Sequence, residues 1–385
     1  MHGTLKDYIQ QLESPAPADW PYVVRSPGRI NLIGEHTDYT GGLVMPASIN
    51  YSIHFVARPL EQPEWRLHAV DIGETYTLPL PINGRTDRLW VDYLAGIGTQ
   101  FQDQGHFLPG LEIVFGGDLP RGSGMSSSAA LEGGLAFLLN ELLSAGLSRP
   151  KLARLCQRSS NTFLGIPSGI MDQYASLNGR AEGPIVLNCH TLESEPVKNA
   201  HSGYQLVLVN SMVSHDLSDG AYGRRVAECD EALRVVREKY PEVSHLSAAS
   251  EDQLNVVADN MTPTVEKRAR YVIQENERVR RAITAMEAGN ATEFGRLLNE
   301  SHRGLSEDYA VSCLELDFLQ QTAISVVGVA GARMMGGGFG GCTINLVKTE
   351  ALSDFRTEIT RAYRQEFGTE PEVYPVELTA GTSFI

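Results

Sequence analysis

The order of apolar and polar positions divides this chain into helix-like and strand-like stretches. Over 126–143, Leu131, Leu135, Leu138, Leu139 and Leu142 recur at helical spacing and predict a helix with one buried stripe. A second helix is predicted over about 149–163. Leu5, Tyr8, Ile9 and Leu12 predict a short N-terminal helix that stops at Ser14-Pro-Ala-Pro-Ala. Strand-like runs lie at 22–24, 31–33, 49–56 and 112–115. Further on, an apolar run at 205–209 predicts a strand, and long helices are predicted around 218–239 and 264–289. In the latter, Val265, Ala269, Val272, Val279, Ile283 and Met286 make one stripe. Its arginines (Arg268, Arg270, Arg278, Arg280, Arg281) alternate with glutamates and predict a solvated face. Strand-like segments return at 342–348 and 373–377. Strands alternating with helices predict an α/β or α+β class.

Length and charge add to this picture. A chain of 385 residues is long for one core. The Gly-, Pro- and Ser-bearing stretch at 180–203 places a boundary, giving domains 1–200 and 201–385. The net charge of −15 argues against nucleic acid and anionic membranes as partners, and for a small molecule. An anionic ligand would need a locally positive site. No run of 18 apolar residues occurs, and the first residues lack signal-peptide features, so a cytoplasmic location is expected. Cys156, Cys189, Cys229, Cys313 and Cys342 are scattered and form no CxxC, which predicts buried reduced thiols and neither a disulfide framework nor a zinc site.

Four stretches carry candidate chemistry. GRINLIGEHTDY, 28–39, sets Arg29, Asn31, Glu35, His36 and Asp38 among apolar residues, although charges are rarely buried unpaired. LPRGSGMSSSAALEGG, 119–134, is a glycine loop running into a helix, where free N–H groups and the helix dipole suit a phosphate. Its serines read equally as N-caps. It lacks the Walker A lysine and the dinucleotide-binding fingerprint. GIPSGIMDQYASLNG, 165–179, holds Asp172 in an apolar run, either as a turn residue or as a carboxylate poised as base or anchor. ARMMGGGFGGC, 332–342, reads as a tight turn or as backbone approaching a ligand or another loop.

Taken in order, these stretches resemble the sugar 1-kinases of the GHMP superfamily, specifically the galactokinase family. WVDYLAG at 90–96 is similar to that family's WxxYxxG, and Asn210-Ser211 through His215 to Tyr222 is similar to its NSxVxHxLxxxxY. The resemblance spans about 22–348. It implies a two-domain α/β (α+β) fold with a ribosomal-protein-like N-terminal domain, an α+β C-terminal domain and the active site in the cleft between them. The last strand is a candidate to return to the N-terminal domain. The implied reaction is ATP-dependent phosphorylation of D-galactose at the anomeric 1-hydroxyl, with Mg²⁺. Glu35, His36 and Asp38 would bind the sugar hydroxyls, and Gly169 and Tyr222 would complete the pocket. Asp172 would sit by the anomeric hydroxyl, with Arg29 stabilising the transferring phosphoryl. Gly122, Ser123, Gly124, Met125, Ser126, Ser127 and Ser128 would cradle the ATP phosphates. Ser128 would reach Mg²⁺, Trp90 would flank the adenine, and the 336–341 loop would pack over the phosphate loop. A monomer or weak oligomer is expected.

Three positions depart from the family pattern. Ser160 stands where the family has a glutamate, its second magnesium ligand, twelve residues before the catalytic aspartate. Serine suits a ligating water there, or Glu132, four residues after Ser128, substitutes. Arg224 and Arg225 stand one place closer to Tyr222 than the family's pair, and Met335 replaces a threonine. Alternative readings are a kinase for arabinose, N-acetylgalactosamine or galacturonate, and a non-catalytic galactose and ATP sensor. Intact Arg29, Asp172 and SSSAA favour the enzyme; His36 and Asp38 favour galactose.

Overall fold

Residues 22–31 form one unbroken strand, β1 (Tyr22–Asn31), which passes through Pro27. The pattern reading divides this stretch in two. Pairing with β3 (Pro46–Leu60) shifts register between Pro27 and Arg29, and this bulge absorbs the N–H that proline lacks. Leu32 and Ile33, read as strand, lie past the end of β1. The computed structural model describes residues 20–120, 122–213 and 220–385, with Leu5, Asp7 and Tyr8. Ile9 and Leu12 of the predicted first helix, Arg121 and His215 lie outside the described residues.

Among the described residues, the first sheet runs β13–β1–β3–β6–β4–β5, with β4 (Glu64–Ala69), β5 (Glu74–Pro79), β6 (Gly110–Gly117) and β13 (Ser383–Phe384). It is antiparallel except where β4 meets β6. The final strand crosses back to it, pairing Phe384 with Val24. A second sheet runs β10–β11–β9–β12, built from β9 (Tyr204–Asn210), β10 (Val329–Met334), β11 (Cys342–Lys348) and β12 (Glu372–Val376). A small third sheet joins β2 (Leu43–Val44), β7 (Ile185–Asn188) and β8 (Ser194–Pro196).

Helices Leu89–Gln102, Ser127–Leu142, Arg149–Arg158 and Met171–Asn178 accompany the first sheet. Helices Ala221–Lys239, Pro263–Glu287, Ala291–Arg303, Leu314–Ser325 and Leu352–Phe367 accompany the second. The β4–β5 hairpin and the Leu89–Gln102 helix are absent from the pattern reading. The helix predicted to reach 163 ends at Arg158 and widens into a π-helical turn over Ser159–Leu164.

Phe55, Trp65, Leu135 and Leu138 centre one core under the first sheet. A second core joins Ile30, Leu32 and Ile33 to Val279, Met286, Phe294 and Ile344, so the two halves share a continuous apolar seam. Two of the five helix arginines read as solvated turn inward. Arg268 is buried and pairs with Glu228 at 3.2 Å. Arg278 pairs at 2.6 Å with Glu275, which is fully buried. The buried Glu275 draws Arg278 in, because a carboxylate out of water requires a partner. Arg268 is held by the half-buried Glu228 and the Asp308 carbonyl. All five cysteines are free thiols, with Cys156, Cys229 and Cys342 buried. Among the described residues no helix is long and apolar enough to cross a membrane.

Candidate active site

The charges of GRINLIGEHTDY are each matched by a group from a distant element. Leu32 and Ile33 sink into the shared core, and the chain then turns sharply, with Gly34 at φ 99° and His36 at φ 62°. Glu275 of the Pro263–Glu287 helix clamps this turn, accepting from Gly34 N at 3.0 Å. Glu35 is 1% exposed. Its Oε1 accepts from Arg333 Nη1 at 3.0 Å and Gly336 N at 2.8 Å, and its Oε2 accepts from Asn31 Nδ2 at 3.0 Å. Arg333 and Glu35 therefore lock the glycine-rich turn after β10 against the end of β1. Arg333 lies in a quoted motif but carries no role in the sequence reading. Its one signal is a charge inside an otherwise apolar strand.

Arg29 and Asp172 form a bidentate pair. Nε reaches Oδ1 and Nη2 reaches Oδ2, both at 2.7 Å. The arginine side chain is 5% exposed and the aspartate 32%, so the pair opens to solvent on the carboxylate side. Asp172 lies in the first turn of the Met171–Asn178 helix. Arg29 also fastens the glycine loop, donating from Nη1 to Gly124 O and from its backbone N to Met125 O at 3.1 Å. Ser126, at φ 58°, does not cap the Ser127–Leu142 helix with its side chain; its Oγ donates to Asp172 Oδ2. The helix N-terminus keeps its free N–H groups for an anion. Ser123 is buried and donates to Pro120 O at 2.8 Å, which shapes the loop. Met125 is buried in the shared core. The turn after β10 faces this loop: a Cβ on Gly124 would lie 3.7 Å from Met335 O.

Ser127 and Ser128 are half-buried at the helix start, and Ser128 hydrogen-bonds Tyr93. Tyr93 is one turn from Trp90 on the Leu89–Gln102 helix. Trp90 is half-buried, leans on Phe115 and donates from Nε1 to Glu74 Oε2 at 2.8 Å.

His36 is pushed down to about 3 by burial, with Arg225 also opposing its charge, so the ring is neutral. Nε2 then donates to Gly337 O at 3.2 Å, and Nδ1 accepts from Tyr39 Oη at 2.9 Å. Tyr309 Oη donates to Tyr39 Oη at 2.6 Å in turn. Both ring nitrogens are engaged, so His36 meets a sugar hydroxyl only by exchanging one of these partners. Asp38 lies under Gly169, where a Cβ would stand 1.6 Å from its Oδ2, so only glycine fits. Tyr222 hydrogen-bonds the Gly169 backbone, and its hydroxyl is raised by burial and then by Asp38 and Asp172. Asp38, Gly169, Tyr222 and Asp172 thus meet in one place. Arg225 instead braces the wall, donating from Nε to Tyr309 O at 2.7 Å.

Removal from water pushes the Asp38 carboxyl up to about 7, and Asp172 adds to the shift. Its folded value exceeds the unfolded one, so the folded chain binds more protons between about pH 4 and pH 7. Stability from this group is therefore lost as pH rises through that window. Urea unfolding of Asp38→Asn should show a smaller loss between pH 5 and pH 8 than the parent; an unchanged loss would contradict this reading.

Comparison with known proteins places these residues in a family. Residues 9–59 match the galactokinase galactose-binding signature, 92–180 the GHMP kinases N terminal domain and 282–365 the GHMP kinases C terminal family. A galactokinase of Roseiflexus sp. (strain RS-1) is 37% identical over 379 residues, covering 98% of this chain and 96% of that one. The crystal structure of Lactococcus lactis galactokinase complexed with galactose matches with a TM-score of 0.91 at 36% identity, covering 94% and 95% of the two chains. The chain belongs to the galactokinase family. A mevalonate kinase, with a TM-score of 0.65 at 16% identity, shares the fold alone.

Ser160, where the resemblance leads one to expect a carboxylate, does not stand alone. Its Oγ donates to Glu132 Oε1 at 2.7 Å, and Gln173 Nε2 donates to Glu132 Oε2 at 3.3 Å. Glu132 is fully buried, and its carboxyl is pushed up to about 8 by burial, with Asp172 adding to the shift. The other amide atom of Gln173, the buried Oε1, has no partner. One carboxylate, a hydroxyl and an amide oxygen form an oxygen-only donor set of the kind hard cations favour. Among the described residues no three His, Cys, Asp or Glu side chains cluster to hold a metal. A cation here would therefore rely on the nucleotide phosphates as well.

Proposed function

We propose that this galactokinase-family chain transfers the γ-phosphoryl group of ATP to the 1-hydroxyl of D-galactose, giving galactose 1-phosphate and ADP. The observation that carries the reading is one contact. Ser126, the last residue before the phosphate-facing helix end, hydrogen-bonds Asp172. The anion-binding helix end and the candidate base are thereby joined, as in-line transfer requires.

In this reading the Gly122–Ser128 backbone amides hold the phosphates. Asp172 Oδ2 already accepts from Arg29 and Ser126, whereas Oδ1 accepts from Arg29 alone. Oδ1 therefore keeps a free acceptor position and takes the proton of the 1-hydroxyl as the oxygen attacks phosphorus. Arg29, buried and held by the Gly124 carbonyl, offers fixed positive charge to the transferring group. Asp38, Gly169 and Tyr222 hold the sugar ring, with Glu35 and His36 forming the wall behind it. A pocket that pairs each hydroxyl rejects an epimer by leaving a buried group unpaired. Trp90 borders the base of the nucleotide.

We propose that Ser128 and Glu132 hold Mg²⁺, with Ser160 orienting Glu132. When bound, the cation offsets the negative charge of the phosphates. The free thiols and the net charge of −15 support a reducing, cytoplasmic setting and a monomer or weak oligomer.

The test is ADP release with ATP, D-galactose and a Mg²⁺ titration. Galactose-dependent turnover is expected, and Glu132→Gln should raise the Mg²⁺ needed for half-maximal rate at least about tenfold, as for loss of a charged ligand contact. Galactose that raises the melting temperature without any turnover would instead identify a sensor. An unchanged Mg²⁺ requirement in Glu132→Gln would remove that residue from the metal site.

A further inference from the structure

A cleft of about 1060 Å³ opens beside the Asp38 turn, and most of its lining has no part in the proposed reaction. Asp38, Tyr39 and Ile170 line its inner end, whereas Arg29, Asp172 and Tyr222 do not line it. One wall is the Arg149–Arg158 helix, which presents Lys151, Arg154 and Arg158. These residues are three and four positions apart and share a helix face. All three are exposed, and the salt bridges and side-chain hydrogen bonds found among the described residues pair none of their head groups. Elsewhere on the surface, cations such as Arg234, Arg296 and Arg361 are paired with glutamates one turn away.

The opposite wall carries His190 and His245, whose rings lie 4.5 Å apart, and Asp230 of the Ala221–Lys239 helix. Asp38 and Asp230 are the carboxylates that line the cleft, against the three cations of the helix row. Burial lowers His245 and favours its neutral ring, so that imidazole offers hydrogen bonds rather than charge. In a chain with net charge −15, a concave site with this excess of cations attracts an anion against the overall field. Gln104 and Gln157 donate amide N–H groups to Gln100 O and Ser168 O, which leaves their amide oxygens as neutral acceptors for hydroxyls.

We infer that this cleft binds a phosphorylated sugar, its phosphate on the Lys151–Arg154–Arg158 row and its hydroxyls on the side-chain amide oxygens that line the cleft. Three cations one turn apart supply the charge-assisted contacts that a phosphate dianion takes up. The cationic row lies on the Arg149–Arg158 helix and takes no part in the proposed reaction, although the inner end of the cleft shares Asp38 with the sugar pocket. The inference does not depend on which sugar that pocket phosphorylates.

The experiment is calorimetric titration of galactose 1-phosphate, glucose 6-phosphate and inorganic phosphate into the full chain. The protein is first saturated with galactose and a non-hydrolysable ATP analogue with Mg²⁺, so that the catalytic pocket is filled. Hexose phosphate binding at one site is expected, tighter than inorganic phosphate. Lys151→Glu with Arg154→Glu should weaken it at least about tenfold, since each charge-assisted contact contributes about 1.5–3 kcal/mol. The milder pair Lys151→Gln with Arg154→Gln should weaken it in the same direction. Both double variants should keep the parent unfolding temperature, and their kcat at saturating ATP and galactose should be unchanged. Binding retained by the variants, inorganic phosphate bound as tightly as the hexose phosphates, or no heat of binding would each overturn the proposal. A drop in kcat at saturation would show that the cationic row is not separate from the catalytic site.

Discussion

Asp172→Asn should abolish most galactose-dependent ADP release while leaving galactose binding nearly intact. The amide keeps the shape of the carboxylate and one acceptor oxygen, so Arg29 Nε retains a partner at Oδ1. It loses the charge and the basicity that would accept the 1-hydroxyl proton. Loss of a positioned base lowers kcat by about 10²–10⁴-fold. Galactose should still raise the unfolding temperature, because Asp38 and Gly169 are untouched. Arg29 is 5% exposed, so part of its charge becomes uncompensated. Breaking a buried pair costs about 3–5 kcal/mol when one partner is removed, and a loss of that order is expected, because the asparagine NH₂ would face the donors Arg29 Nη2 and Ser126 Oγ where Oδ2 had accepted. Rates must therefore be compared below the unfolding midpoint of the variant. A variant that keeps more than about a tenth of parental kcat would exclude Asp172 as the base.

Arg333→Met should be the most destabilising single change in the site, although the residue touches no substrate in the proposed reaction. Its guanidinium is fully buried and donates to the carbonyls of Asn31, Leu32 and Met334 and to Glu35. Methionine fills similar space but leaves the Glu35 carboxylate with the Asn31 amide and Gly336 N alone. The expected loss is about 3–5 kcal/mol from the broken pair, with about 1–3 kcal/mol more for each carbonyl left without a donor. Urea unfolding measures it. Pairing Arg333→Met with Glu35→Leu should recover part of the loss, because the remaining buried charge is removed as well. If the double variant is less stable than Arg333→Met alone, the pair is not the source of the effect. Turnover should also fall, because Glu35 holds Gly336 and the turn that faces the phosphate loop.

Much of the fold can be read from periodicity alone. The Ser127–Leu142 and Pro263–Glu287 helices and strands β9, β11 and β12 follow their apolar patterns to within a few residues, since one buried face dictates each period. The exceptions have physical causes. β1 passes through a proline because a bulge satisfies it. The β4–β5 hairpin at the sheet edge is absent from the pattern reading although Trp65, Leu67 and Ala69 alternate with polar residues as in a half-buried strand, because the run is only six residues long. Arg268 and Arg278 look like surface residues until their partners Glu228 and Glu275 are seen, and those partners lie far away in sequence or on a face that periodicity does not resolve.

The candidate site divides in the same way. Local order within the chain determined the glycine loop before a helix, the short stretch that holds Glu35, His36 and Asp38, and the aspartate Asp172 set in an apolar run. Each depends on groups a few residues apart, so spacing reveals it. The Met171–Asn178 helix that carries Asp172 is seen in the structure alone. Only the tertiary structure decided which of these charges face a ligand and which are consumed as structure. It gave Glu35 to Arg333 across 298 positions, His36 to Gly337 across 301, and Ser126 to Asp172 rather than to its own helix. It also gave Ser160 a carboxylate in Glu132. A buried polar group takes whichever partner the packing brings within about 3 Å. That choice is made by the fold as a whole, and the local pattern of residues does not contain it.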